Sequence, residues 1–169
     1  FCSISTRHQI LSKSLIYSWN PLMIIAGTGT KGSTSTTLSN PKGIFIDQSN
    51  QNLFVADCDN NRIQLFQSES FIGQTIVGNY SFNYTINLNC PSDIILDFNQ
   101  FLFIIDSNNQ RIIQQKQNGF FCIIGCTNSQ LNSPSTISFD SFGNIFIINQ
   151  NYHQLIKFHL IIYQSKGFL

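Results

Sequence analysis

Short apolar runs, bounded by clusters of Asn, Asp, Gly and Ser, set the pattern of this chain. Leu53–Ala56, Leu102–Ile105 and Ile145–Ile148 are continuous rather than alternating, rich in Ile and Phe, and too short for helices. Continuous short runs suit strands buried on both faces. Ala is scarce and β-branched residues are common, so helix propensity is low throughout. The predicted class is all-β.

The runs recur in register. Pro41, Pro91 and Pro134 open three aligned segments. An apolar residue follows three positions later (Ile44, Ile94, Ile137) and an Asp six positions later (Asp47, Asp97, Asp140). The apolar run then ends at Asp57, Asp106 or Asn149, and Arg62, Arg111 or Gln154 stands five residues beyond. Each unit closes on an apolar patch with Gly, at Gly27, Gly78 and Gly125. This predicts four strands per unit, a to d, at a period of 40–50 residues, which is the signature of β-propeller blades. Ahead of Pro41 the pattern places two strands, near Ser14–Trp19 and Leu22–Gly27, as the end of a preceding blade.

The Pro-x-x-Ile-x-apolar-Asp openings, the FVAD and FIID runs and the NNRI and NQRI segments resemble the NHL-repeat family of β-propellers. The likeness covers roughly residues 20 to 158; the third unit departs from it at Asn149 and Gln154. It implies about three four-stranded blades plus part of a fourth, the open half of a six-bladed ring. The expected division is 1–28 for the end of one blade, then 29–78, 79–125 and 126–169 for three more. The chain is expected to be a piece of a longer protein. Alone it should self-associate through unpaired edges, its natural partners including the remaining blades.

Charge narrows the function classes. Net charge is +1, charged residues make up 10% of the chain, and Asn and Gln together number 34. The nine basic residues are scattered, no two adjacent, which disfavours a nucleic-acid surface. No apolar stretch reaches the roughly 20 residues a membrane helix needs. Gly27, Gly29 and Gly32 spell G-x-G-x-x-G, but no helical pattern follows, so a dinucleotide site is not expected. The Asp–Arg pairs bracket a short b–c hairpin and read as structural, and Asp47, Asp97 and Asp140 read as a–b turn residues.

His8, His153 and His159 have no zinc-site spacing. No catalytic residue, metal ligand or cofactor is called for. The expected function is a non-catalytic protein- or peptide-binding scaffold. The resemblance also implies two alternatives, an amidating-lyase-like enzyme and an RNA-binding propeller. In an antiparallel blade the b–c turns and d–a connections share one face. That face gathers Asn60, Asn61, Asn108, Asn109, Asn151, Tyr152 and His153. The loop 79–90 adds Tyr80, Phe82 and Tyr84, aromatics of the kind that anchor partners.

Five cysteines cannot all pair within one chain. If residues 122–126 form a strand, Cys122 and Cys126 lie about 13 Å apart, too far for a disulfide. Two glycosylation sequons, at Asn79 and Asn83, number no more than the about three expected by chance in so Asn- and Ser-rich a chain. They alone assign no compartment.

Overall fold

The computed structural model describes residues 1–16, 19–81, 85–127 and 130–159. They form four antiparallel sheets in chain order. The first holds β1 (Cys2–Ile4), β2 (Gln9–Ser12) and β3 (Met23–Ala26). The second holds β4 (Pro41–Ile46), β5 (Leu53–Asp57), β6 (Arg62–Phe66) and β7 (Gly73–Gly78). The third holds β8 (Pro91–Leu96), β9 (Leu102–Asp106), β10 (Arg111–Lys116) and β11 (Gly119–Ile124). The fourth holds β12 (Pro134–Phe139), β13 (Ile145–Asn149) and β14 (Gln154–Phe158). Each strand pairs with its chain neighbour, and the first strands β4, β8 and β12 contact one another from sheet to sheet. This is a β-propeller segment.

The continuous apolar runs are explained by three cores, one per junction between sheets. On β5, Leu53 and Val55 face the first sheet and join Ile10, Ala26, Leu38 and Phe66. Phe54 and Ala56 face the other way and join Ile63, Val77, Ile94, Ile104 and Ile113. On β9, Phe103 and Ile105 turn to the fourth sheet, with Ile112, Leu131, Ile137, Ile145 and Ile147. A strand between two cores needs apolar residues on both faces, so alternation disappears. Each Val, Leu, Ile or Phe among them contributes about 1.5–3 kcal/mol through burial.

Two expectations are corrected. The N-terminal sheet has three strands, not two, and its middle strand is Gln9–Ser12 rather than Ser14–Trp19. Leu15 and Ile16 are almost fully exposed, and Tyr17 and Ser18 lie outside the described residues. Leu15, Ile16 and Trp19 are surface residues, and the true b–c unit is hidden because Ile4 and Gln9 stand where Asp and Arg stand later. Cys122 and Cys126 form a disulfide with Cα atoms 5.8 Å apart. β11 ends at Ile124 and Gly125 turns the chain at φ +75°, so the extended spacing does not apply. Cys58 and Cys90 form a second disulfide, and Cys2 is free.

The G-x-G-x-x-G stretch serves this fold. Gly27, Gly78 and Gly125 stand at or directly after the end of the last strand of their sheets, with φ between +75° and +88°. A Cβ on any of them would collide with a carbonyl oxygen, that of His8, Asn61 or Gln110. The glycines let strand d close over the b–c turn, and no helix follows.

Candidate functional site

Four b–c turns share one backbone geometry. Ser5–Arg7, Cys58–Asn60, Ser107–Asn109 and Gln150–Tyr152 are single 3-10 turns. Each is followed by a left-handed residue: His8, Asn61, Gln110 or His153, at φ 52° to 55°. Asn and His are among the residues that tolerate this region without strain from branching.

In the last three sheets a side-chain oxygen just before the turn binds the incoming d–a connection. Asp57 Oδ1 accepts the Ser39 N–H at 2.6 Å, and Asp106 Oδ1 accepts the Asn89 N–H at 2.7 Å. Asn149 Oδ1 accepts the Asn132 N–H at 2.6 Å in the same place. The second oxygen of each Asp serves its own turn. Asp57 Oδ2 accepts from Arg62 Nε (2.7 Å) and Asn60 Nδ2 (2.8 Å), and Asp106 Oδ2 from Arg111 Nε and Asn109 Nδ2 (both 2.8 Å). Burial pushes the Asp57 carboxyl up, opposed by its donors, Asn60, Ser39 and Arg62.

Arg62 extends the clasp. Its guanidinium, 2% exposed, donates to the carbonyls of Ser33 (2.7 Å), Thr34 (2.9 Å) and Thr37 (3.1 Å). The connection 33–37 is thereby wrapped around a buried cation. Arg111 donates to Asn87 O at 2.7 Å and is more open. These bonds tie every b–c turn of the last three sheets to the d–a connection before it, so both sets of loops lie on one face.

That face is also stitched from sheet to sheet. Ser5 Oγ donates to Pro41 O at 2.6 Å, and Ser107 Oγ to Pro134 O at 2.8 Å. At the junction between them the equivalent residue is Cys58, and its link is the disulfide to Cys90. Asn40 N–H donates to His8 Nδ1 (3.0 Å) and Cys90 N–H to Asn61 Oδ1 (2.8 Å).

The predicted face residues therefore divide. Asn60, Asn61 and Asn109 spend their amides on the scaffold, Asn60 also donating to Gly32 O at 2.8 Å. Asn108 and Asn151 are exposed and bridge to Asn89 and Asn132. Tyr152 and His153 are exposed at the fourth turn. Tyr80 is 69% exposed, yet its ring lies over the Arg62 guanidinium, 5.8 Å from the centroid. Phe82 and Tyr84 lie outside the described residues. Sequence reasoning missed Asp59, which pairs with Lys31 at 3.2 Å on the same surface, and the Ser5–Cys58–Ser107 series. That series follows the Asp position directly, so aligning the turns one residue further exposes it.

On the opposite face the a–b turns are closed by carboxylates. Asp140 accepts from Asn144 Nδ2 (2.8 Å) and from the Asn144 and Phe142 N–H groups (both 2.9 Å), with Lys157 3.5 Å away. These bonds, Asn144 foremost, hold it at about 2. The hydroxyl and N–H of Ser49 lower Asp47 likewise.

The family model of the NHL repeat matches residues 38–66. That segment is an NHL repeat. It begins on the connection held by Asp57, includes β4, β5 and the turn, and ends with the last residue of β6. No curated protein matches the chain. Among solved structures, virginiamycin B lyase from Staphylococcus aureus is similar at a TM-score of 0.59 and 15% identity, over 93% of this chain and 50% of that one. A catalytically inactive form of that lyase with quinupristin gives 0.58 and 14%, over the same shares. An extracellular domain described as part of a hybrid two-component system from B. thetaiotaomicron gives 0.52 and 16%, over 75% of this chain and 19% of that one. At these identities the likeness is one of fold, and the chain spans half the length of the lyase.

Proposed function

We propose that this NHL-repeat propeller segment is a non-catalytic binding scaffold for a protein or peptide, and that its partner lies on the face of the b–c turns and d–a connections. The observation that supports the reading is the clasp series at Asp57, Asp106 and Asn149. It fixes long surface connections to rigid sheets and leaves Tyr80, Asn108, Asn151 and Tyr152 exposed. Preordered polar and aromatic groups of this kind lose little entropy on binding. The low net charge fits recognition by amides and rings rather than by long-range attraction. Phe82 and Tyr84 belong to the same connection in sequence. His8 suits the scaffold role as well, since it spends Nδ1 on the Asn40 N–H.

The test uses photo-crosslinking residues placed singly in the full-length protein at Tyr80, Asn108 and Tyr152. Control positions are Gln48 and Phe142 on the opposite face. Crosslinks to one partner from the first set alone are expected. Crosslinks confined to Gln48 and Phe142 would show that the face is wrongly assigned, and turnover of a small molecule by the unmodified protein would show that the scaffold reading is.

A further inference from the structure

The connection that leaves β7 carries the sequon Asn79-Tyr80-Ser81 and ends at Cys90, which is bonded to Cys58. We infer that Asn79 bears an N-linked glycan, attached as the chain matures in an oxidising compartment.

The disulfides carry the compartment. Four of the five cysteines are paired, within one junction (Cys58–Cys90) and at one strand end (Cys122–Cys126). At the neighbouring junctions, serine hydroxyls at the position of Cys58 make the link with a hydrogen bond, which needs no oxidation. The middle junction thus uses a bond that persists only where thiols are oxidised. Each pair forms by giving two protons and two electrons to the disulfide of a thiol–disulfide oxidoreductase, which leaves as the dithiol.

Asparagine glycosylation belongs to the same kind of compartment. In that step the Asn79 amide nitrogen bonds to the anomeric carbon of a lipid-linked oligosaccharide. The carbon–oxygen bond to the lipid diphosphate breaks, the lipid diphosphate leaves, and the amide proton passes to a base of the transferase.

Attachment precedes folding, so the native structure must only leave the glycan room. It does. β7 is the outer strand of its sheet, and Asn79 is the first residue beyond it, at the rim of the face. Its backbone N–H continues the pairing by donating to Asn61 O at 3.1 Å, while Asn79 and Tyr80 stand exposed. Tyr80, at φ 68°, turns the chain at that point. The corresponding positions after the other two strand ends are Thr28 and Cys126, neither an acceptor. A glycan at Asn79 crowds the adjacent Tyr80 and so opposes the part of the partner reading that rests on Tyr80, while Asn108 and Tyr152 lie on other turns.

The experiment needs no partner. The protein is purified from its native cells, alkylated without reduction, and mapped by peptide mass spectrometry before and after peptide:N-glycosidase F in heavy-oxygen water. Asn79 should be recovered as heavy-oxygen-labelled Asp only after the enzyme, and Cys58, Cys90, Cys122 and Cys126 should escape alkylation. An unmodified Asn79 overturns the glycan, and alkylated Cys58 and Cys90 overturn the compartment. Replacement by Asn79→Gln should abolish the enzyme-dependent mobility shift at that site; a variant and wild type of equal mobility would also overturn it.

Discussion

The second and fourth sheets carry the same turn with different chemistry. Asp57 and Arg62 face each other as a buried ion pair, whereas Asn149 and Gln154 face each other across the same register with no charge. What is retained is the acceptor oxygen. Asp57 and Asn149 both take a backbone N–H of the incoming connection at 2.6 Å. What is lost is the wrap: Arg62 gathers three carbonyls of residues 33–37, and Gln154 is exposed. So the anchoring of a connection needs one oxygen, and the cation adds order to the loop beyond it. Neutral Asn meets the first requirement at a much smaller desolvation cost.

The sharpest way to break this comparison is to remove one charge of the buried pair. Arg62→Met leaves Asp57 unpaired at zero exposure and should cost about 3–5 kcal/mol in urea denaturation of the full-length protein. The double change Asp57→Asn with Arg62→Gln rebuilds the fourth-sheet chemistry and should recover at least 1 kcal/mol of that loss, roughly, since contacting residues couple by about 0.5–3 kcal/mol. If the losses of the single variants Asp57→Asn and Arg62→Gln simply add in the double, the pair is no unit.

The middle junction offers the next test. Cys58→Ala with Cys90→Ala opens a link spanning 32 residues and should cost about 2–4 kcal/mol. Cys58→Ser with Cys90→Ser supplies the hydroxyl found at Ser5 and Ser107, and should lose less. Equal losses would show that the serine series is incidental. Smaller still is Arg111→Gln in the third sheet. That guanidinium is 24% exposed and makes fewer bonds to its connection, so about 1–2 kcal/mol is expected. A loss matching that of Arg62→Met would deny that burial sets the scale.

These differences explain what was legible beforehand. The blades were, because strands between two cores must be apolar on both faces and the turn carboxylates recur at fixed spacing. The structural role of Asp57 and Arg62 was legible from their joint replacement at Asn149 and Gln154. The first sheet was not, because Ile4 and Gln9 carry no charge, and a backbone turn held by its own geometry leaves no residue signature. The Cys122–Cys126 bond was hidden by treating the run as straight, when Gly125 bends it. The division of the face also escaped, since Asn60 and Asn108 look alike in sequence and only the hydrogen bonds show that one is committed inward. The partner site itself has no residue pattern that distinguishes it from a solvated loop.

The finest contrast is one of acid response. Asp140, in the fourth sheet, sits at about 2, below its ordinary 3.8, because Asn144 and nearby N–H groups bond the charged form. A carboxyl depressed on folding contributes stability above pH 3.8 that is lost as pH falls toward 2. Burial moves Asp57 the other way, so its contribution grows as pH falls and is lost as pH rises through its folded value. Asp47 shares the sign of Asp140, so the comparison must be made by substitution and not between whole sheets. Asp140→Asn should flatten the loss of stability between pH 4 and 2, and Asp57→Asn with Arg62→Gln should remove a gain of stability that develops as pH falls to about 3.8, each judged against wild type by denaturation at a series of pH values. Slopes that move together would show that the two carboxylates do not differ in sign.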